Sequence, residues 1–374
     1  MRILFCVRPR TRPVLSIVLA GWLAAAAPAA VAEEHHHGGD SDWLLFPSLQ
    51  ALSRSDTNAQ APQDDHERAT VDVLFSHSSG RFRALAETEV AGDEVEVERL
   101  QLGWEFSENA LAWAGRFHQP SSAWNTEHHH GQYLQTAVTR PNIEHWEDEG
   151  GLIPQHIAGV LLDSHGSLGS TGGLSVAVGG GAAPIIRLGQ MEPIYVVRGN
   201  AGGHRASWSG RVAYQPELLG DESFGLVLAQ HDVNVVDPAV AGMLGASDVT
   251  LDVAGAFAKI ARDDWRVQAT YYHVDVHLAS GPRPRGESFG AGYLQVERSL
   301  AARWTPYARI ETSANATHSS YVAFQSREFE THRALGGLRW DVGHNQALTL
   351  EVAHASTLLV DFNDVRLQWS CVLP

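Results

Sequence analysis

The sequence predicts an all-β protein, a transmembrane antiparallel β-barrel of about 16 strands. Three observations predict this fold. The chain begins with a segment typical of exported proteins, and alternating apolar and polar residues recur along most of the remaining length. Short and long connections alternate between these segments. Alternation is also found in soluble β-sandwiches, which remain the alternative fold, so the connections carry the distinction.

The first segment predicts export. The basic stretch "MRILFCVRPRTRP" precedes the apolar run "VLSIVLAGWLAAAAPAA", and Ala30 and Ala32 occupy the small-residue positions before a cleavage point. We therefore expect a signal peptide over 1–32 and a flexible tail, rich in histidine and acid, over 33–42. The barrel is expected over 43–374, in the bacterial outer membrane.

Composition narrows the class of partner. The formal net charge is −16, which disfavours nucleic acid, and no run of apolar residues after the signal peptide is long enough for a transmembrane helix. Cys6 leaves with the signal peptide, so Cys371 has no intramolecular disulfide partner. Lys259 is the single lysine. No nucleophile elbow or phosphate-binding motif is present, so an enzyme is not expected.

The alternation separates two faces along each predicted strand. "VERLQLGWEF" (97–106) places leucines and aromatics on one face and Arg99 with polar residues on the other. "ALAWAGRF" (110–117) sets Trp113 and Phe117 opposite Arg116, and "ARWTPYARIETS" (302–313) follows the same pattern. The predicted strands are 43–53, 67–76, 80–91, 94–106, 110–118, 156–163, 172–180, 204–215, 223–232, 249–260, 265–277, 287–298, 303–314, 329–341, 347–356 and 362–373.

Two short segments resemble those of a known group. "GRFHQPSSAWN" (115–125) is similar to a segment found in many porin-like proteins related to the phosphate-selective porins, and "WTPYARIE" (304–311) resembles a late barrel strand of such proteins. The resemblance implies a Gram-negative outer-membrane porin, often homotrimeric. Such a porin passes small hydrophilic solutes or ions, and its long third external loop narrows the channel. Here that loop is 119–155. The near absence of lysine departs from a phosphate-selective pore.

Charged residues on the inner faces would then set the selectivity. We expect an arginine wall facing an acidic loop across the constriction, with pairing of each arginine to a neighbouring acid as the alternative. The expected wall consists of Arg99, Arg116, Arg303, Arg309, Arg333, Arg339 and Arg366. The expected loop residues are Glu127, Arg140, Glu144, Glu147, Asp148 and Glu149. Arg140 and Trp124 are expected to help anchor the loop.

Two histidine clusters raise the alternative of an outer-membrane barrel that takes up or senses Zn²⁺ or Cu²⁺. His128, His129 and His130 follow Glu127, but adjacent residues of an extended chain point in opposite directions. His273, Asp275 and His277 share one face of "YYHVDVHL" (271–278). Neither cluster has a recognised metal-site spacing, so no cofactor is expected beyond a weakly bound divalent metal.

Overall fold

The computed structural model describes most of the chain from Asp40 onward. The expected signal peptide and most of the expected tail lie outside the described residues. The described residues are 40–56, 64–92, 94–128, 131–146, 151–197, 199, 202–217, 220–279, 285–301, 303–326 and 328–374.

Strands dominate the described chain, because the alternating segments pair with their neighbours in sequence. The strands are β1 (Asp40–Asp56), β2 (Asp64–Ser79), β3 (Phe82–Ala91), β4 (Glu94–Ser107), β5 (Ala110–His118), β6 (His156–Leu168), β7 (Gly172–Ala182), β8 (Ile185–Arg187), β9 (Gln190–Glu192), β10 (Ala206–Gln215), β11 (Ser223–Val235), β12 (Asp248–Arg262), β13 (Trp265–Ala279), β14 (Arg285–Arg298), β15 (Trp304–Ala314), β16 (Glu330–Gly343), β17 (Gln346–Thr357) and β18 (Asp361–Cys371). The α-helices are α1 (Ala123–Glu127), α2 (Pro238–Leu244) and α3 (Ser320–Gln325). None of the helices among the described residues is long and apolar enough to cross a membrane.

The long strands close into an antiparallel barrel. Each pairs with the next, β7 pairs with β10, and β18 returns to pair with β1. The short hairpin β8–β9 stands apart from this circuit, with β8 lying parallel to the end of β11. Closure pairs the backbone groups that an open sheet would leave at its edges. The predicted fold class, a barrel of 16 antiparallel strands, is confirmed.

The connections differ at the two ends of the barrel. At one end, the turn end, tight turns join the strands, and Asp263 and Asn345 adopt left-handed φ values of 53° and 61° there. At the other end, the loop end, several connections are long, including 119–155, 183–205 and 315–329. This asymmetry is the one predicted from the sequence, and it is typical of outer-membrane barrels.

The two faces of the wall follow the predicted alternation. On β4, Leu102 is 57% exposed on the outside, whereas Gln101 is 4% exposed on the inside. At the turn end, Trp304 and Trp340 stack at 5.2 Å between ring centroids, next to one another on β15 and β16. Exposed apolar side chains with aromatics near the strand ends form the kind of surface that a membrane-spanning barrel presents to lipid.

Strand β5 departs from the predicted phase. Trp113 and Phe117, expected opposite the inner face, pack inside against Leu161. Glycines on the neighbouring strands make room for them, since a Cβ at Gly103 would lie 2.7 Å from Trp113 Cε3. Gly115 takes φ +136°, which interrupts regular alternation just before Arg116. The simple alternation rule therefore fails at this end of β5.

Candidate functional site

The connection 119–155 folds into the barrel instead of standing above it. At its base, the Gln119 amide donates to the Gln155 carbonyl at 2.9 Å. The loop then crosses the interior, and Gly131 lies so close to Phe46 of β1 that a Cβ would collide with the ring. Short helical turns at Gln132–Leu134 and Asn142–His145 shape the remaining path.

Three glutamates on the far inner wall accept hydrogen bonds from the loop. They are Glu297 of β14, Glu311 of β15 and Glu351 of β17, and all are buried. The bonds are Thr136 Oγ1 to Glu297 at 2.7 Å, Asn142 N to Glu311 at 2.6 Å, Val138 N to Glu351 at 3.0 Å and Thr139 Oγ1 to Glu351 at 2.6 Å. Charged acceptors make these bonds stronger than neutral ones, so they fix the loop against the wall.

Two arginines hold the loop from the same side. Arg309 donates to the Thr139 carbonyl and to Thr139 Oγ1, both at 2.8 Å. Arg339 donates to the carbonyls of Tyr133 and Gln135 at 2.6 and 2.7 Å. Because a guanidinium presents several donors in one plane, each arginine can hold loop backbone and a neighbouring carboxylate together.

Apolar packing also holds the loop against the barrel wall. Trp124 lies edge-on to Tyr293 at 6.0 Å, and Trp146 lies edge-on to Tyr272 at 5.4 Å between ring centroids. The Arg309 guanidinium lies 5.8 Å from the centre of the Trp124 ring. Trp124 is therefore in the anchoring position expected for it. We call the inner face of β12–β17, on which the loop lies, the covered wall.

The arginines expected to line the pore lie in ion pairs. Arg309 and Arg333 are almost completely buried, so they do not face an open channel. Arg303 differs, since it is exposed at the turn before β15. The closest pairs are Arg99–Glu87 at 2.8 Å, Arg116–Glu96 at 3.0 Å, Arg309–Glu311 at 2.8 Å, Arg333–Glu330 at 2.6 Å, Arg339–Asp341 at 2.9 Å and Arg366–Asp364 at 3.0 Å. Burial of a charge requires such a partner.

Glu127 and Glu144, the two loop acids that the structure describes, do not face this wall across a gap. Glu127 forms an ion pair with Lys259 of β12. Glu144 is fully buried and accepts from Asn125 Nδ2 at 3.1 Å, and this burial raises the pKa of its carboxyl to about 7. The expected gap is thus replaced by direct contact between loop and wall. Arg140 lies close enough to Glu144 to influence its ionisation. Glu147, Asp148 and Glu149 lie outside the described residues.

The first histidine of the triplet, His128, lies at the contact between the loop and the covered wall. His128 Nε2 lies 3.2 Å from Gln268 Nε2 of β13, and its backbone carbonyl accepts from Gln135 Nε2 at 2.9 Å. Removal from water lowers the pKa of His128 to about 4, and the neighbouring Lys259 ammonium adds to this shift. His128 is therefore neutral near pH 7. His129 and His130 lie outside the described residues.

The second histidine cluster lies on the outer surface. β13 pairs regularly with both neighbours through its whole length, so no shift of phase occurs near Tyr271. His273, Asp275 and His277 share the exposed face with Tyr271, at the loop end of the strand. His273 Nε2 lies 3.3 Å from Asp275 Oδ1. The cluster faces away from the barrel interior.

The inner face of β2–β4 has a different character, and we call it the open wall. Glu96 and Arg68 remain 47% and 41% exposed there, towards the loop end, and Arg83 and Glu105 are partly exposed towards the turn end. Among the side chains described there, strand pairing places six acids on this face, Asp72, Glu87, Glu89, Glu94, Glu96 and Glu105, against the three arginines Arg68, Arg83 and Arg99. Acids outnumber bases on the open wall.

Known structures share this architecture. The chain is similar to the anion-selective porin from Comamonas acidovorans, with a TM-score of 0.59 at 11% identity, over 90% of this chain and 100% of that chain. The chain has the porin fold. OmpF of Salmonella typhi gives 0.57 at 12% identity, over 89% of this chain and 98% of that chain. DcaP of Acinetobacter baumannii, an outer-membrane channel, gives 0.53 at 13% identity, over 90% and 98%. No protein-family model and no curated protein matches the sequence.

Sequence reasoning missed the glutamates that receive the loop. Glu297, Glu311 and Glu351 share the inner faces with the predicted arginines, so their orientation followed from the alternation. Their partners did not, because Thr136 and Glu297 are 161 residues apart along the chain. A cross-barrel contact of this kind leaves no periodic signal in one sequence.

Proposed function

We propose that the protein is an outer-membrane porin, a passive channel for small hydrophilic solutes and ions. Closed barrels with an apolar exterior are one of the two structures that can span a bilayer, because all backbone groups are paired. The membrane lipid is then the partner of the outer face. Homotrimeric assembly is part of the same proposal, since the resemblance to porins implies it.

The passage in this proposal runs along the open wall. The observation that supports it is that the loop packs on one side of the barrel, against the covered wall. Charged side chains on β2–β4 therefore remain exposed to water. Glu96 and Arg68 mark the entrance, and Arg83 and Glu105 mark the exit. Between them lies the ion pair Arg99–Glu87, whose side chains are 17% and 3% exposed.

The excess of acid along this path favours cations. Rings or rows of like charge raise the local concentration of the opposite ion and set the preference of a wide channel. A phosphate-selective path is not supported by the residues, because Lys259 is the single lysine and is paired with Glu127. We therefore propose a weak preference for cations over anions.

Conductance measurement tests the proposal. The refolded full-length mature protein should give discrete, stable conductance steps in a planar bilayer, and a salt gradient should give a reversal potential of the sign for cation preference. Absence of steps from protein that shows the heat-modifiable gel mobility of a folded barrel would exclude a porin. Steps with anion preference would retain the channel and exclude the acidic path.

A further inference from the structure

A histidine pair and a carboxylate meet at the base of the inward loop. His118 is the last residue of β5, His156 is the first of β6, and Glu98 lies on the neighbouring strand β4. One ligand atom from each lies within 4.8 Å of the other two. We propose that these three side chains form a binding site for one divalent transition-metal ion, with Zn²⁺ as the natural occupant.

Strand pairing explains why the three meet. His118 and His156 lie directly opposite one another in the β5–β6 pair. In β4 the register against β3 shifts beside Glu87, and Glu98 is the extra residue of this bulge. Because a bulge redirects a side chain locally, Arg99 pairs with Glu87 while Glu98 turns to the histidines.

The present contacts are those of a site that can close on a cation. His156 Nε2 lies 2.7 Å from Glu98 Oε2, and His118 Nε2 lies 3.6 Å from the same oxygen. The imidazole rings lie 4.7 Å apart between centroids. Two imidazole nitrogens and a carboxylate oxygen are a ligand set that Zn²⁺ accepts, with bond lengths of about 2.0–2.2 Å. Ligand atoms around a tetrahedral ion with these bond lengths lie about 3.4 Å apart. Binding therefore requires the 2.7 Å contact between His156 and Glu98 to lengthen, and it leaves a fourth position for water.

Burial and charge favour a cation at this place. The side chains of His156, His118 and Glu98 are 1%, 8% and 11% exposed, so their positions are fixed by packing. The Glu98 carboxylate supplies the negative charge of the site. The nearby Arg116 is engaged by Glu96 at 3.0 Å.

A bound ion would fasten the loop at both ends. His118 and His156 flank residues 119–155, whose base is otherwise joined by the backbone bond from Gln119 to Gln155. Binding to the folded state alone stabilises it in proportion to the logarithm of ligand concentration over the dissociation constant. The metal would thus hold the loop base more firmly, independently of whether the barrel conducts.

Cobalt spectroscopy tests the site directly. Co²⁺ added to the metal-free folded full-length barrel should give visible ligand-field bands of a four-coordinate site, at one ion per chain, and Zn²⁺ should displace them. Two separate variants, Glu98→Gln and His156→Ala, should each lose this one ion and its bands. His165→Ala is the matched control, since His165 is an exposed histidine of the same strand, and it should bind as the wild type does.

Metal binding by other histidines would contradict the proposal. If the bands persist in both site variants, the metal is held elsewhere, for example by the triplet at His128 or by the terminal tail, and the site is excluded. Absence of bands in the wild type at millimolar Co²⁺ would equally exclude it. Heat-modifiable gel mobility of each variant shows that the barrel is folded. Loss of metal therefore cannot be mistaken for loss of the barrel.

Discussion

The covered wall and the open wall are built from the same alternating strands, yet their charged side chains lie in different environments. On the covered wall Arg309 and Glu351 are both 1% exposed, whereas on the open wall Glu96 retains 47% of its side-chain surface. The loop makes the difference, because its amides, hydroxyls and carbonyls take up the charges on one side. Charge on a strand face therefore does not by itself place a residue in a channel.

Removal of Arg309 should produce the largest change in the difference between the two walls, because it releases the loop from the covered wall. Arg309→Met leaves the buried Glu311 carboxylate without its ion partner and the Thr139 carbonyl without its guanidinium donor, at a cost of about 3–5 kcal/mol. The loop should leave the covered wall, become sensitive to protease in the folded barrel, and give larger and noisier conductance steps. Arg303→Met, which removes an exposed arginine, is the control. A loop as resistant to protease as in the wild type would contradict the role assigned to Arg309.

The ionisation of Glu144 should give a smaller, pH-dependent effect. Burial raises the pKa of its carboxyl from 4.5 to about 7, so the neutral form is favoured in the seated loop. This contribution to loop stability is complete below pH 4.5 and decreases as the pH rises through about 7. Fluorescence of Trp124 and Trp146, compared between wild type and Glu144→Gln, checks it. The variant should lack the wild-type transition near pH 7, and identical curves would exclude Glu144 as its source.

Neutralisation of Glu96 should produce the smallest change. Glu96→Gln removes one exposed acid from the open wall and keeps an amide oxygen that can accept from the buried Arg116. The ratio of cation to anion permeability should decrease by roughly twofold, because the charge acts through water. Reversal potentials in a salt gradient measure this ratio. Glu222→Gln, in the turn before β11, removes the same charge outside the open wall and should leave the ratio unchanged. Equal effects of both variants would indicate that overall charge, and not the open wall, sets the preference.

The sequence predicted the barrel well because strand alternation is a local property. Leu102 and Gln101 take the faces that their neighbours indicate, and Arg309 points inward as its position on β15 requires. The prediction was wrong at Trp113 and Phe117, which pack inside with Leu161 although apolar residues of β4 such as Leu102 face outward. Local reasoning therefore works until apolar side chains pack inside the barrel.

The candidate site was less predictable, because its contacts are distant in sequence. The loop and its position after β5 were expected, whereas the contact of Arg309 with Thr139 spans 170 residues. The bulge that turns Glu98 towards His118 and His156 also depends on pairing between strands. Which inner wall the loop covers is decided by packing against Tyr272 and Tyr293, and no single segment encodes it.

The central claim is that solutes pass along the open wall and not beneath the loop. Single cysteines at Glu96→Cys and at Thr349→Cys, the latter on the inner face of β17, test it in a Cys371→Ser background. A positively charged, water-soluble thiol reagent applied to open channels should reduce conductance promptly at position 96 and leave position 349 unaffected. Prompt reduction at position 349 with no response at position 96 would show that the passage follows the covered wall and would contradict the account.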